Sequence, residues 1–452
     1  MKRLLCVLLI LLLVCLLAFF LLWRFDKLSG ITDFTDSLFA GWEEFWQRLR
    51  SEEPAENVPS FVNPTEFPVY HPEQPVNAAL KETICDALLA MESEVNLKDY
   101  GISKAELEAV IADIIYSEPA LFYVDSSYSY TSNAGQRILK LMPTYTHTPT
   151  EVAAMRTEYE AALAEIVANA PQTGSDFDKI LYLHDYFVRN YSYDKTLAIH
   201  DVYTFFTQKT GVCQAYMLAL IAAAEALGLE SLPVTSDAMK HAWNLVKIDG
   251  AWYHVDITWD DTNTLPTRIS YDYFLQSDAG LIAIDAGKNT AHRHYDWHAT
   301  EAATDTRYDA ALFRTANTGI VRYGARYYVA LTAEGAGNNV RGTVYSGSDP
   351  LSLTKFKDIT GGAFLAGTEG YYPDCYCDLY LVDSVLYYHS GNSVGYVDLS
   401  FEVPQFRTLS LSGLGVGESV YGFLGKQEGS LTLVIATSPV AEAYRTMTVQ
   451  IP

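Results

Sequence analysis

The chain has 452 residues, 49% of them hydrophobic and 19% charged, which is length enough for two or three domains with sizeable cores. Its formal net charge of -24 argues against a nucleic-acid partner, because phosphate binding needs clustered Lys and Arg. The six cysteines fall at 6, 15, 85, 213, 375 and 377 and offer no visible disulfide framework.

Lys2 and Arg3 precede an apolar run from Leu4 to Trp23, twenty residues that at helical rise span about 30 Å of hydrocarbon. No small-residue cleavage site follows, so residues 1–24 read as an uncleaved signal-anchor transmembrane helix with its amino end inside. This places the rest of the chain outside the cell membrane as a single-pass protein. Residues 25–76 read as a juxtamembrane segment and linker: Phe34, Leu38, Trp42, Phe45, Trp46 and Leu49 lie near one helical side, and prolines 54, 59, 64, 68, 72 and 75 then favour extended chain.

Residues 77–170 form an α+β lead-in. Helical patterns cover about 77–92, 103–117 and 149–169, the last opened by Pro149-Thr150-Glu151, with strand material from Tyr128 to Tyr145. A further helix, about 175–191, has Ser175 as its cap and carries His184 on a largely apolar face. A histidine so placed is expected to be a satisfied structural group. Tyr191, Tyr193 and Tyr203 are candidates to line a cleft, although 32 tyrosines in the chain make packing the default reading of any one of them.

The densest chemistry lies between Gly211 and Asp261. Cys213 opens an apolar helix with spacing at 217, 220, 221, 224 and 227, stopped by Gly228. A thiolate at a helix N-terminus is stabilised by unpaired N–H groups and the macrodipole. Asp249-Gly250 is a two-residue type I′ signal, so 241–248 and 251–258 should pair antiparallel. Trp243 would then face Asp256, and His241 would face Thr258. Period-two alternation puts His241, Trp243, His254 and Asp256 on one face, with His241 the diagonal neighbour of Asp256. A nucleophile, a base and an orienting carboxylate follow in that order.

Three separated blocks carry a family resemblance: Gly211-Val212-Cys213-Gln214-Ala215-Tyr216, His241-Ala242-Trp243-Asn244 and Val255-Asp256-Ile257-Thr258-Trp259-Asp260-Asp261. With Pro119-Ala120-Leu121-Phe122-Tyr123, His184-Asp185-Tyr186, Tyr273-Phe274 and Ser277-Asp278, they resemble the transglutaminase-like superfamily, in particular its bacterial exported members. The resemblance spans roughly 80–300 and implies an α+β, papain-like core over 171–304. It also implies Cys213 as nucleophile, His241 as general base and acid, and Asp256 as orienter. Ala215 departs from the glycine frequent at that position, and its methyl is expected to narrow the site. The Cys213 N–H is one candidate oxyanion donor; Tyr203 and Gln208 are candidates for the second, and Trp243 for the cleft. The implied activity cleaves or transfers an amide acyl group of a peptide or protein, such as a cell-wall peptide, with no metal or organic cofactor. The alternative is a surface binding or assembly protein that keeps the fold without turnover.

Two other clusters are weaker. His292, His294 and His298 have metal-like density without a secondary-structure frame, and Cys375 with Cys377 would close a strained ring. From about 305 to 452 the pattern becomes short β segments with Gly, Asn, Asp and Ser turns, an all-β module. A β-sandwich is expected, with an incomplete propeller-like sheet as the runner-up.

Overall fold

The computed structural model describes residues 56–58, 70–261, 265–285, 296–334, 340–364, 377–389, 392–437 and 443–452. The expected membrane helix, the juxtamembrane segment, most of the proline-rich linker, His292, His294 and Cys375 lie outside these residues. Among the described residues no helix is long and apolar enough to cross a membrane. The chain divides into two units. The smaller includes residues 94–104 and 129–142, where Val95 pairs antiparallel with Leu141. The larger takes in residues 59–93, 105–128 and 143–452 and carries most of the features below.

The end of the linker is not free chain. Tyr70 is buried, stacks on Tyr116 at 4.7 Å between centroids, and donates its hydroxyl to Asp113 at 2.6 Å. A tyrosine here can bury its ring while satisfying its O–H, so the extended stretch ends at a docked residue, several positions before the expected boundary at 76.

Helix α1 (Ala78–Leu89) starts at Asn77, whose side chain accepts from the Leu80 N–H. Helix α2 (Lys104–Ser117) leads through a short 3-10 turn into strand β1 (Val124–Ser132), followed by β2 (Ile138–Tyr145). Helix α3 (Pro149–Ala168) and helix α4 (Asp176–Asn190) both open with full capping boxes, Thr148 with Glu151 and Ser175 with Asp178. Each box satisfies two otherwise unpaired N–H groups, which is why these boundaries fall close to the expected ones. Helix α5 (Val202–Gln208) then leads to α6 (Cys213–Ala226).

Helix α6 is more deeply placed than its spacing suggests, since every residue from Cys213 to Ala224 is buried. It lies between helices α3, α4 and α5 on one side and a sheet on the other, and a helix apolar all round belongs in such a position. The sheet has the order β6-β5-β4-β3, all antiparallel, with β3 (Ser231–Ser236), β4 (His241–Ile248), β5 (Ala251–Val255) and β6 (Phe274–Gln276). Ala242, Val246, Ile248, Tyr253 and Val255 share the main core with α6; Trp243 and Leu245, on the opposite face, pack with Tyr273 and Leu281.

The β4–β5 register is the expected one, Ile248 facing Ala251 through Asn244 facing Val255. The strand ends earlier than expected, however. Residues Ile257–Asp260 form a short helix, α7, capped by the Asp256 side chain, which accepts from Trp259 N at 3.2 Å. Aspartate satisfies helix N–H groups better than it extends a strand, so the expected pairing of His241 with Thr258 is replaced by a turn that starts at Asp256. The hairpin turn itself holds: Asp249 and Gly250 have φ of 50° and 85°, as type I′ requires. A Cβ at Gly250 would meet nothing within 4 Å. Gly250→Ala should therefore cost about 1–2 kcal/mol through backbone strain alone, read as a lower denaturation midpoint.

Among the described residues beyond 304 the chain forms three antiparallel sheets in sequence order. The first holds β7 (Val321–Tyr323), β8 (Arg326–Glu334), β9 (Val340–Gly347) and β10 (Thr354–Phe364). The second holds β11 (Leu379–Val382), β12 (Val385–His389), β13 (Val394–Asp398) and β14 (Phe406–Leu409). The third holds β15 (Ser419–Gln427), β16 (Ser430–Ala436) and β17 (Arg445–Gln450). Tyr388 faces the first sheet beside Tyr328, whereas Tyr387 faces the third beside Phe423. The middle sheet is thus buried on both faces, which explains the unbroken Leu386-Tyr387-Tyr388-His389 run. Three meanders stacked in series correspond to the incomplete propeller-like arrangement better than to a two-layer sandwich.

This β-rich region also contributes to the core around α6. Tyr308, Phe313, Ile320, Tyr327, Val329 and Leu331 belong to the same apolar cluster as α6. Asp178, the capping-box residue of α4, accepts from the Tyr327 hydroxyl at 2.7 Å and pairs with Arg322 at 3.0 Å. The boundary at 304/305 therefore marks a change of secondary structure without a break in the core.

Candidate active site

Three elements bring the predicted groups together. Cys213 occupies the first position of α6, His241 the first position of β4, and Asp256 the cap that joins β5 to α7. His241 Nε2 lies 2.6 Å from Asp256 Oδ2, and the same imidazole hydrogen-bonds Cys213. All three side chains are buried, with residue exposures of 3%, 6% and 1%. Burial pushes the imidazole's pKa down, but the Asp256 charge and hydrogen bond, with that from Cys213, outweigh it and raise it to about 10. With Nε2 taken by Asp256, the bond to Cys213 falls to Nδ1.

The ring is fixed from behind. Trp243 stacks on His241 at 5.5 Å and 22°, and Trp259 meets it edge-on at 5.9 Å. Trp243 Nε1 donates to His254 Nδ1 at 3.0 Å, and His254 Nε2 lies 2.9 Å from Asp278 Oδ1. Because the indole N–H can only donate, His254 must accept at Nδ1 and carry its proton on Nε2 toward Asp278. Trp243 is thus a buried backing plate for His241.

The cleft beside His241 is lined by Tyr193, Met239, Lys240, Thr258, Trp259 and Asp261. Tyr193 is thereby placed at the site, as one of the three cleft tyrosines considered from sequence. It is held by a two-residue parallel pairing, Ser192 with Thr210 and Tyr193 with Gly211, directly before the cysteine. Gly211 is obligatory here, since a Cβ would fall 2.7 Å from Phe205 Cδ2 and 2.8 Å from Ala215 Cβ. The Ala215 methyl accordingly packs over Gly211, and Ala215 is absent from the cleft lining, so the expected narrowing does not arise.

The two side chains considered as oxyanion donors are not brought to the cysteine. Tyr203 donates its hydroxyl to Glu158 at 2.7 Å and stacks on Phe122; Gln208 is exposed at the end of α5. Both follow from α5 turning that face toward α3 and solvent. The Cys213 N–H is at the first turn of α6, where no intrahelical acceptor exists, and the Val212 cap provides no side-chain bond.

Other site residues were not anticipated. Tyr116, fully buried, lies near enough for the Cys213 charge to raise its hydroxyl's pKa further, after burial, the main cause. Asp261 accepts from the Tyr216 hydroxyl at 2.6 Å, tying α7 to α6. Asp260 accepts from His184 Nε2 at 3.2 Å and from the Tyr273 N–H. His184 is thus a structural group, as expected, with Asp185 on its other nitrogen at 3.0 Å. Its pKa is lowered by burial but raised more by these two carboxylates, to about 9. No local sequence signal identifies contacts that join positions 76 or 45 residues apart.

Residues 161–257 match the family model of the transglutaminase-like superfamily, and this stretch contains Cys213, His241 and Asp256. The segment that carries the site is therefore a transglutaminase-like domain. A solved structure described as "Crystal structure of a TGase" is similar at 16% identity, over 29% of this chain and 44% of that one, with a TM-score of 0.21. The chain thus spans less than half of that structure's length. No curated protein matches it.

Proposed function

We propose that the protein is a thiol acyl-transfer enzyme in which Cys213 attacks an amide carbonyl, His241 carries the proton and Asp256 holds the imidazole. The observation that carries this reading is the continuous bonded set, Cys213 to His241 and His241 to Asp256 at 2.6 Å. The thiol proton rests on His241 Nδ1, which keeps the ring an imidazolium at neutral pH; the Cys213 sulfur forms a tetrahedral adduct, and the imidazolium protonates the departing amine as the thioester forms. The Cys213 N–H supports the oxyanion. Water then gives hydrolysis, or a second amine gives transfer; both use the same groups.

The substrate is a peptide or protein, with cell-wall peptides the class that suits an extracellular site. That location rests on the apolar run from Leu4 to Trp23 behind Lys2 and Arg3, read as a membrane anchor with the enzyme outside. The reaction as written uses protein groups alone.

Alkylation of the full-length protein at pH 6 tests the reading. Cys213 should label much faster than a free thiol, labelling should vanish in Cys213→Ala and fall in His241→Ala. Among the described residues the background is low, because burial pushes the Cys85 thiol up to about 11 and the Cys377 thiol higher still; mapping the labelled peptide separates Cys213 from Cys6, Cys15 and Cys375. Labelling at a free-thiol rate that His241→Ala leaves unchanged would refute it. Amine incorporation compared with peptide cleavage then separates transferase from hydrolase.

A further inference from the structure

A second cluster lies outside the cysteine site. His71 Nδ1 and His298 Nδ1 are 3.1 Å apart, and the Glu73 Oε1 atom is 3.4 Å from the first and 2.9 Å from the second. The far nitrogens of both rings turn to one carboxylate: Asp237 Oδ2 lies 3.3 Å from His71 Nε2 and 3.7 Å from His298 Nε2. The two rings sit 3.8 Å apart between centroids. These residues come from three places, the docked end of the linker, the turn after β3, and a segment bridged to β3 through Thr235 and His298.

The arrangement has the geometry of a metal site in two independent respects. Ligands at 2.0–2.1 Å from a tetrahedral ion are separated from each other by about 3.3 Å, and the three near atoms form a triangle with edges of 3.1, 3.4 and 2.9 Å. Imidazoles bound to metal through one nitrogen usually donate the other N–H to a carboxylate, which is the position of Asp237. If both rings direct their N–H groups to Asp237, two bare Nδ1 lone pairs and a carboxylate oxygen converge with nothing between them. A cation relieves that repulsion. Two imidazoles with one carboxylate suit zinc or a similar first-row divalent ion and not calcium or magnesium, which prefer all-oxygen sets.

We propose that His71, Glu73 and His298 bind a zinc-class divalent ion, with Asp237 holding both imidazoles from behind. The fourth ligand position is open to water. His298, considered from sequence beside His292 and His294, instead finds its ligand neighbours 225 and 227 residues away. The ion would pin the linker end to the turn from Asp237 to Lys240, whose Met239 and Lys240 line the cysteine cleft. Its role is structural; no step of acyl transfer passes through it.

Zinc content and affinity of the full-length protein test this. Zinc added to metal-free protein should bind at one equivalent, with affinity at least about 100-fold weaker in His71→Ala and His298→Ala, and about 10–100-fold weaker in Asp237→Asn. Cys213→Ser and the double variant His292→Ala/His294→Ala should keep full affinity. Cobalt(II) in place of zinc should give the spectrum of a nitrogen and oxygen set without thiolate charge transfer. Glu73→Gln, a change to a half-exposed side chain, provides a ligand variant if His71→Ala misfolds. Absence of binding at equimolar zinc, unchanged affinity in the His71 and Glu73 variants, or loss in the His292/His294 variant would each overturn the proposal.

Discussion

Asp256→Asn should lower turnover about 10⁴-fold, the scale seen when the orienting carboxylate of a nucleophile–His–Asp set becomes an amide. The reason here is specific. One oxygen of Asp256 accepts from the Trp259 N–H at 3.2 Å and the other faces His241 Nε2 at 2.6 Å. In the asparagine variant the Trp259 N–H claims the amide oxygen, which leaves the NH₂ pointing at Nε2. The ring must then accept at Nε2 and carry its proton on Nδ1, so it can no longer take one from Cys213. Asparagine remains a good helix cap, so α7 and the fold should survive. The check is the Cys213 alkylation rate at pH 6, expected to fall about 100-fold while the thermal midpoint moves little.

The same carboxylate sets a pH dependence. The folded-state pKa of His241, about 10, exceeds the roughly 6.5 of an unfolded histidine. Between these values the folded chain holds more protons than the unfolded one, so stability falls as pH rises. Its contribution is complete below about 6.5 and is lost through about 10. The pH profile of thermal stability should lose part of its alkaline slope in His241→Gln; another part belongs to His184, raised to about 9.

The largest loss of stability is expected from Asp260→Ala, about 3–5 kcal/mol. Burial pushes this carboxyl up, to about 6, while His184 pulls it back, so at neutral pH it is ionised beside an imidazolium. Truncation leaves His184 charged at zero exposure with Asp185 alone, and it removes the acceptor of the Tyr273 N–H that starts β6. Removing one member of a buried pair costs more than the pair contributes, because the survivor stays desolvated. His184→Ala/Asp260→Ala should therefore be less destabilised than the sum of the single variants. Urea unfolding of the three proteins measures the difference; additive losses would show that the two groups act independently.

The grouping of Cys213, His241 and Asp256 was legible because its parts are local. An Asp-Gly turn fixes a register, alternation fixes a face, and fifteen residues separate His241 from Asp256. The helices were legible from capping residues. What escaped was set by distant encounters: Asp260 with His184, Asp261 with Tyr216, His71 with His298. The strand-to-helix change at Asp256 escaped because β propensity in Val255-Asp256-Ile257-Thr258 competes with a capping aspartate, and only the tertiary setting decides. Burial of the middle sheet on both faces removes the periodicity that usually separates a sandwich from other β arrangements.

The short pairing of Ser192-Tyr193 with Thr210-Gly211 has an evolutionary consequence. It closes the base of the excursion that contains α5, so the cleft wall at Tyr193 and the nucleophile at Cys213 are joined by two backbone rungs and not by the intervening sixteen residues, 194–209. Doubling the length of such a closed loop costs only about 0.6 kcal/mol. Descendants of this chain can therefore lengthen or exchange the exposed residues 195–198, and with them whatever they present to an approaching molecule, while Val202, Phe205 and Phe206 stay in the core and the distance between wall and sulfur is inherited unchanged.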